Sequence, residues 1–335
     1  MNEKQKKELR RRFSDGLKSS KMMISTLEEW HDAKHRDPSK DEVDFVNSIE
    51  VTSCPYCGSE MIRKDGRSKR TGLIIRECKR CGKKFNPLTG TVFDSRKIPI
   101  SEWIEYLAHL FEFHSTKTSA SDNRNAGSTG RYWLGKAFLA LEGYQDGIVF
   151  SGTVWIDETY FPKWRSDLEL SGGKELRGLS RNQLCVATLT DGRRCALIPC
   201  GVGHPSALQV LKAYGPHIEK GSKIIHDGDH SHDALIRELG LISEVHATAE
   251  MKGLRDSANP MEPINKVHRY LKGLMFSHRG FSRERLQGWL DLFSFYWNTR
   301  GDVEQKAQAF IEYAVKMRKK LRYREWGSRK KNDAE

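Results

Sequence analysis

The pattern of apolar and polar positions predicts helices in the first part of the chain and strands in the second. Apolar residues recur at helical spacing between residues 99 and 145, at Ile104, Leu107, Leu110 and Phe111. From residue 148 onward three β-rich runs are separated by Gly and Asp-Gly turn signals: GIVFSGTVWIDETYF, NQLCVATLT and CALIPCGV. Helix and strand signals then alternate, and a long helical region begins at Pro263. This order predicts an α/β fold in which helices flank a mixed sheet.

Composition adds a basic surplus to this picture. The 335 residues carry a formal net charge of +13, and 37% of them are hydrophobic. Such a surplus favours polyanionic partners, because each Lys or Arg that binds a phosphate releases a counterion. A basic protein associated with the ribosome is the alternative. The sequence lacks both a long apolar run and a signal peptide, so we expect a cytoplasmic protein that associates with the nucleoid when on DNA.

Four of the seven cysteines form two CxxC pairs with twenty residues between them: Cys54 and Cys57, then Cys78 and Cys81. A glycine follows each pair, where the chain must turn back on itself. Two such knuckles supply the four thiolates that tetrahedral Zn²⁺ requires, so we predict a closed, structural zinc site. The remaining three lie in strand-like sequence and are expected to be reduced and buried: Cys185, Cys195 and Cys200.

The loop between the two pairs is basic, which makes this segment a candidate DNA contact. A zinc-stapled spacer with a solvated surface is the alternative, because charge alone does not show base contact. A candidate helix-turn-helix follows, with Ser101 capping the first helix and Thr116 or Thr118 the second. Residues 127–129 would form the turn before a helix over residues 130–141. That helix would present Arg131, Tyr132 and Lys136; a plain helical linker domain is the alternative.

Two aspartates follow apolar strand sequence. Alternation places Thr153, Trp155 and Asp157 on one face of a strand and Glu158 on the other. A carboxylate inside such a strand is costly unless a metal pairs it; the alternative is that the strand ends at Ile156. Asp227 ends a second apolar strand, where ligand sites cluster in α/β sheets. A His-rich metal site is an alternative there, since four polar residues surround it: His226, Asp229, His230 and His232.

The segment 262–273 predicts a helix with Pro263 in its first turn and one apolar stripe. Asn265 and Lys272 are seven residues apart, which places both on one face beside that stripe. Glu262 lies one turn earlier and is an alternative oxygen donor, although a residue before proline is biased away from helical geometry. Two strand carboxylates and one helix oxygen can hold two divalent ions for phosphoryl transfer, and a lysine can bind the phosphate.

Taken in order, these motifs resemble the insertion-sequence transposases of ISXO type, which join an N-terminal zinc ribbon to a DD(E/N)K catalytic domain. The matching segments cover most of residues 54–300: CPYCGSE, ECKRCGKKFNPLTGTVF, VWIDETYF, IIHDGDHSH, PINKVHRYLKG and GFSRERLQGWLDLFSFYWNTR. The resemblance implies catalysis by Asp157, Asp227, Asn265 and Lys272. It also implies Mg²⁺ or Mn²⁺ on the first three, with Asp229 and Glu262 as alternative ligands, and structural Zn²⁺ in the ribbon.

The resemblance also implies a fold and a division of the chain. The expected fold is a ribonuclease H-like mixed sheet flanked by helices, preceded by a zinc ribbon and a small helical domain. We expect a helical N-terminal segment and linker over 1–50, the ribbon over 51–93 and the helical domain over 94–147. The catalytic domain would occupy 148–302 and a basic C-terminal helix or tail 303–335.

The function implied is that of a DNA transposase. It would bind the ends of its own element, hydrolyse a phosphodiester to free a 3′-OH, and join that 3′-OH to target DNA. DNA and further copies of the chain, in a homo-oligomer, are the expected partners. A ribonuclease H-like nuclease without strand transfer is one alternative. A zinc-ribbon regulator with an inactive catalytic domain is the other, and the presence of Asp157 and Asp227 argues against it.

Overall fold

The computed structural model describes residues 39–96, 98–123, 125–163, 167–278 and 283–326. Most of the N-terminal segment that was expected to be helical lies outside these residues, as does the end of the basic C-terminal tail. Within the described ranges, no helix combines the length and the apolar character needed to cross a membrane.

The first described elements are one helix and a small antiparallel sheet that carries the CxxC pairs. The sheet has the strand order β1-β2-β3. The bounds are Lys40–Ser48 for α1, Ile62–Arg67 for β1, Ile74–Cys78 for β2 and Lys84–Phe85 for β3. The short strands predicted between residues 51 and 90 are therefore confirmed.

Three helices follow, as the periodicity between residues 99 and 145 predicts. Their bounds are Ile100–Phe111 for α2, Thr116–Asp122 for α3 and Gly127–Leu141 for α4. The three pack in sequence, α2 on α3 and α3 on α4. This is compatible with a helix-turn-helix, although the details of the helix ends differ from the prediction.

The predicted caps of these helices are wrong. Ser101 lies inside α2, and the carboxylate of Glu42 from α1 accepts the Ile100 N–H at 2.9 Å in its place. A negative charge at that end is favoured by the helix dipole. Ser115, not Thr116 or Thr118, caps α3, because its hydroxyl accepts the Thr118 N–H at 3.1 Å. Helix α4 begins at Gly127, three residues before the predicted start.

Two of the three residues expected to face DNA from α4 are used inside the protein. Lys136 is buried and donates to the Val92 carbonyl oxygen, and burial lowers its pKa to about 8. The Tyr132 hydroxyl donates to the Leu321 carbonyl oxygen at 2.7 Å. The prediction for Lys136 and Tyr132 is therefore wrong, since distant backbone carbonyls bind both side chains. Arg131 is exposed, as expected.

The central sheet has five strands in the order β10-β9-β4-β7-β8. β4, β7 and β8 form an antiparallel meander, whereas β9 runs parallel to β4 and β10 parallel to β9. The bounds are Thr153–Pro162 for β4, Gln183–Thr190 for β7, Cys195–Val202 for β8, Lys223–His226 for β9 and Ile242–Val245 for β10. This order and these directions are those of a ribonuclease H-like sheet, so the predicted fold class is confirmed. A hairpin of β5 (Leu170–Ser171) and β6 (Lys174–Glu175) lies between β4 and β7 in the chain.

Helices cover both faces of this sheet. Their bounds are Ala207–Tyr214 for α5, Asp233–Leu239 for α6, Thr248–Met251 for α7, Glu262–Ser277 for α8, Leu286–Asn298 for α9 and Val303–Met317 for α10. Ser206 with Gln209, and Asp302 with Gln305, form capping boxes that fix the starts of α5 and α10. The helices predicted after residue 204 and after Pro263 are therefore confirmed.

Two apolar cores lie on opposite faces of the sheet, because side chains alternate along β4. Val154 and Ile156 belong to the core that α5 and α6 cover. Phe161 belongs to the core that α8 and α9 cover, and this second core continues into α2, α4 and α10. The three cysteines outside the CxxC pairs are buried, as predicted: Cys185, Cys195 and Cys200.

Candidate active site

Asp157 lies in the middle of β4, where it pairs with Thr188 of β7. The strand continues to Pro162, so the alternative in which it ends at Ile156 is wrong. Trp155 and Asp157 both contact the α8 side of the sheet, as alternation predicts. The Trp155 indole donates to the Pro260 carbonyl oxygen at 2.8 Å, and His268 Nδ1 of α8 lies 3.7 Å from Asp157 Oδ2.

The register of β9 brings Asp227 to the level of Asp157. Thr153 pairs with Lys223 and Trp155 with Ile225, so the same register continued by two residues places Asp227 beside Asp157. Paired residues of parallel neighbours point to the same face, and adjacent strands are about 4.8 Å apart. The negative charge of Asp227 acts on the pKa of Asp157, so the two carboxylates lie near each other, and Asp227 also has an oxygen within 4.8 Å of a ring nitrogen of His226 and of His232.

The crowding of carboxylates has a clear electrostatic effect. Burial raises the pKa of Asp157 to about 7, and the negative charges of Glu158 and Asp227 add to this rise. Asp157 Oδ1 accepts the Glu158 N–H at 2.8 Å, which acts in the opposite direction. An uncompensated negative charge is costly at this position, and a cation would remove that cost.

The opposite face of β4 carries a buried polar network that begins at Glu158. Its carboxylate accepts the Tyr214 O–H at 2.9 Å and lies 3.2 Å from His232 Nε2. His232 Nδ1 is 3.0 Å from His226 Nδ1, and His226 Nε2 is 2.8 Å from the Ser243 hydroxyl. This network joins β4, α5, β9 and β10 behind the two aspartates.

The pKa values of the two histidines in this network shift in opposite directions. Burial acts to lower the pKa of His232, but its hydrogen bond with Glu158 raises it overall. Burial and the charge of His232 lower the pKa of His226 to about 4. His232 therefore binds a proton more readily than His226 does, and His226 Nδ1 also accepts the Gly228 N–H. One ligand atom from each of His226, Asp227 and His232 lies within 4.8 Å of the other two, so this group has the geometry that the His-rich alternative for a metal site requires.

Asp229 has hydrogen-bond partners of its own, and its backbone N–H donates to Asp227 Oδ1 at 3.0 Å. It caps the short 3₁₀ turn His230–His232 by accepting the Ser231 N–H at 2.8 Å, and its other oxygen is 2.7 Å from His204 Nε2. Although burial acts against it, these contacts lower the pKa of Asp229 to about 2. Asp227 is thus the better candidate for the second carboxylate.

Helix α8 places the remaining candidates over the sheet edge. Asn265 is half-buried and Lys272 is exposed. His268 stands three residues after Asn265 and four before Lys272, so all three share a face. Since His268 approaches Asp157, that face is directed at the carboxylates. Burial and the positive charge of Lys272 lower the pKa of His268 to about 3, so its ring is neutral.

Glu262 differs from its prediction. It is the first residue of α8 rather than part of a loop, since Pro263 is tolerated in the first turn of a helix. Its carboxylate accepts from Arg269 Nη2 at 2.7 Å, along the exposed side of the helix. Glu262 is therefore engaged in a surface ion pair.

Sequence reasoning missed His268 and the network behind Glu158. A signal for His268 was present, because it shares the helical face of Asn265 and Lys272. The network had no comparable signal, since it joins Glu158, Tyr214 and Ser243 from different elements.

The four cysteines of the small sheet converge. Their sulfur atoms lie within 4.8 Å of one another, with 3.7 Å between Cys54 and Cys81 and 3.6 Å between Cys57 and Cys78. A tetrahedral zinc with bonds of about 2.3 Å has sulfur–sulfur edges of about 3.8 Å. The donor set and its spacing therefore fit Zn²⁺. Gly58 and Gly82 adopt positive φ at the two knuckles, as the turn there requires.

No family model matches the sequence. The chain is 25% identical over 255 residues to an uncharacterised protein in transposable element ISH50 of Halobacterium salinarum. The alignment covers 72% of this chain and 83% of that protein. The chain is thus similar to a protein in a transposable element, which supports the part of the resemblance that concerns insertion-sequence transposases.

Solved structures with a related arrangement are complexes of Mos1 transposase. The paired-end complex with the left transposon end aligns with 68% of this chain and 81% of that one, at 13% identity and a TM-score of 0.27. The Mos1 strand transfer complex aligns with 68% and 80%, at 12% identity and a TM-score of 0.28. The fold assignment therefore rests on the strand order and strand directions of this protein's own central sheet.

Proposed function

We propose that this protein is a DNA transposase of an insertion sequence. The observation that supports the proposal is the position of Asp157 on the central strand of a ribonuclease H-like sheet, facing α8, with Asp227 directly after the neighbouring parallel strand and near enough to raise the pKa of Asp157. The relative in a transposable element and the net charge of +13 support a role on DNA. Like most enzymes that act on paired ends, it would work as a homo-oligomer on DNA.

Divalent cations fit this site because of its donor set. Asp157 and Asp227 offer carboxylate oxygens, and Asn265 offers an amide oxygen, which are the ligands that Mg²⁺ and Mn²⁺ prefer. The raised pKa of Asp157 indicates a site where negative charge lacks compensation. When bound, two such ions activate an attacking oxygen and stabilise a leaving one.

The protein's own residues would position the DNA phosphate at this edge. Asn265 and Lys272 lie on one face of α8, so the Asn265 amide oxygen would hold a cation beside the phosphodiester and the Lys272 ammonium group would bind the phosphate itself. The ring of His268 would face the Asp157 carboxylate from the same helix and limit the space around it. Glu158 is fixed by His232 and Tyr214 behind the sheet, so it would act through the position of β4.

The proposed activity has a direct test. Purified protein is incubated with Mg²⁺, linear DNA that carries the ends of its own element, and a supercoiled target plasmid. We expect cleavage that frees 3′-OH ends and covalent joining of those ends to the plasmid. Cleavage without joined products would favour the nuclease, and binding without cleavage would favour the regulator; either would overturn the proposal.

The ribbon leads to a prediction about zinc. Because its four thiolates converge, we expect Cys54→Ser to lose the ribbon's zinc and to weaken binding to element-end DNA by at least about tenfold. Metal analysis of freshly purified, reduced protein and a DNA mobility shift measure the two effects. Lys79→Gln in the second knuckle is the matched control, since its exposed side chain leaves all four sulfurs in place. Unchanged zinc in Cys54→Ser would contradict the assignment.

A further inference from the structure

The end of α2 brings two histidines together. The helix closes in a Schellman turn, in which the His114 N–H donates to the His109 carbonyl oxygen and the Phe113 N–H to that of Leu110, both at 3.0 Å. In a Schellman turn, the third residue before the helix C-cap lies beside the second residue after the C-cap, and the two side chains usually make an apolar contact. Here those two positions are His109 and His114, whose ring centroids are 5.4 Å apart.

The turn is held in a conformation that a non-glycine residue rarely adopts. Phe113 has a φ of 65°, in the left-handed region that favours glycine. Its ring packs edge-on against Tyr270 of α8 and Tyr296 of α9. This packing maintains the strained turn, and the turn in turn keeps the two imidazoles adjacent.

A carboxylate completes the group. Asp122, at the end of α3, has its Oδ2 3.8 Å from His109 Nδ1, which is too long for a hydrogen bond. One ligand atom from each of His109, His114 and Asp122 lies within 4.8 Å of the other two. His109 Nδ1 is buried, and no hydrogen-bond partner for it occurs among the described residues. Buried polar atoms in proteins normally have a hydrogen-bond partner, so this nitrogen has a free position for a ligand.

We propose that His109, His114 and Asp122 bind a divalent transition-metal ion of the Zn²⁺ type. Two imidazoles and one carboxylate are a common ligand set for zinc, whereas Mg²⁺ and Ca²⁺ prefer oxygen ligands. An ion between these side chains would give His109 Nδ1 its missing partner. Water would take the remaining position, because His114 and Asp122 are exposed.

A bound ion would fix the angle between α2 and α3. It would join the end of α2 to the end of α3, and so fix two of the three helices of the candidate helix-turn-helix. Phe113, one residue before His114, touches α8 near Gly273. Occupancy of the site would therefore stiffen the contact between these helices and the helix that carries Asn265 and Lys272. This role is independent of the proposed transposase activity.

The test is a count of zinc in the full-length protein. The protein is saturated with Zn²⁺, freed of excess by gel filtration, and analysed by mass spectrometry for metals. We expect about two zinc ions per chain in the wild type and about one in His109→Gln, His114→Gln and Asp122→Asn. Glu112→Gln is the matched control, since this exposed neighbour is outside the ligand set, and it should retain two.

A second measurement separates the two sites. Co²⁺ bound by four thiolates gives intense sulfur-to-metal charge-transfer absorption, whereas Co²⁺ bound by His and Asp gives only weak visible bands. We expect Cys54→Ser/Cys57→Ser to lose the charge-transfer bands and to keep one ion that depends on His109. Circular dichroism confirms that each variant is folded. A wild type that binds only the thiolate-bound ion, or His109→Gln protein that keeps both ions, would overturn the proposal.

Discussion

Replacing Asp157 or Asp227 with Asn should lower cleavage of element-end DNA by at least about 10³-fold, which corresponds to about 4 kcal/mol of transition-state stabilisation. Each substitution removes a charged oxygen from the pair formed by Asp157 on β4 and Asp227 directly after β9. An amide is nearly the same size as the carboxylate but offsets less of the charge of two dications. The rate of single-turnover cleavage in Mg²⁺ measures the effect.

Asp229→Asn and Asp233→Asn are the matched controls for this experiment. Both are acidic residues that follow β9, but Asp229 is bound by Ser231 and His204 and Asp233 is exposed. We expect Asp233→Asn to leave the rate unchanged and Asp229→Asn to lower it about tenfold or less. If Asp229→Asn abolished cleavage while Asp227→Asn did not, the second carboxylate would be two residues further along the chain than assigned.

The same Asp157→Asn variant should be more stable than the wild type when no metal is bound. The pKa of Asp157 is raised to about 7, so the folded state holds a proton there more tightly than the unfolded chain. That stabilisation is fully present below the unfolded pKa of about 4 and is lost as the pH rises through about 7. In the presence of a chelator, the free energy of unfolding measured with denaturant should therefore be higher for Asp157→Asn than for the wild type by about 1–2 kcal/mol at pH 8. The difference should be smaller at pH 5. A variant that is less stable at pH 8 would contradict this account.

Asn265→Ala should lower cleavage by about 10²-fold or more, whereas Glu262→Ala should stay within about threefold of the wild type. Asn265 is half-buried on the face of α8 that approaches Asp157 through His268. Glu262 is paired with Arg269 on the exposed side of the helix. Exposed ion pairs contribute little free energy, so the loss of this one should be tolerated.

The charge at position 265 provides the control. Asn265→Asp keeps an oxygen donor of the same length and should retain or raise activity, while Asn265→Ala should fail. That combination would identify the position as a metal ligand rather than a packing residue. Near-normal cleavage by Asn265→Ala, together with loss in Glu262→Ala, would instead favour a site of three carboxylates.

Much of the fold could be predicted from the sequence, because its strands and helices have strong local patterns. Alternation along β4 placed Asp157 opposite to Glu158, and the structure agrees, since one faces α8 and the other faces α5. The strand signals for β7 and β8 match the observed bounds within one residue. The cysteine pairs were equally clear, because ligand spacing is a local property.

The features that sequence reasoning missed depend on contacts between distant residues. Glu42 caps α2 from 58 residues away, and this displaces Ser101 from the predicted cap. Lys136 binds a carbonyl oxygen 44 residues earlier, so its expected place on a DNA-facing surface is wrong. Helical periodicity reports only which side of a helix is apolar, and it does not identify the partner of a polar residue at the edge of that side.

The apolar core beneath α8 and α9 has a consequence for how the protein unfolds. It extends without interruption from α2 and α4, through these helices, to Phe161 and Val186 of the sheet. Elements that share one core lose their packing together, so the helical segment and the sheet form one cooperative unit. A gene fragment that stops near residue 147 would leave apolar surface uncovered in both halves. Leu73, Leu88 and Phe93 of the ribbon segment belong to the same core, so a fragment that begins after the ribbon would also leave apolar surface uncovered.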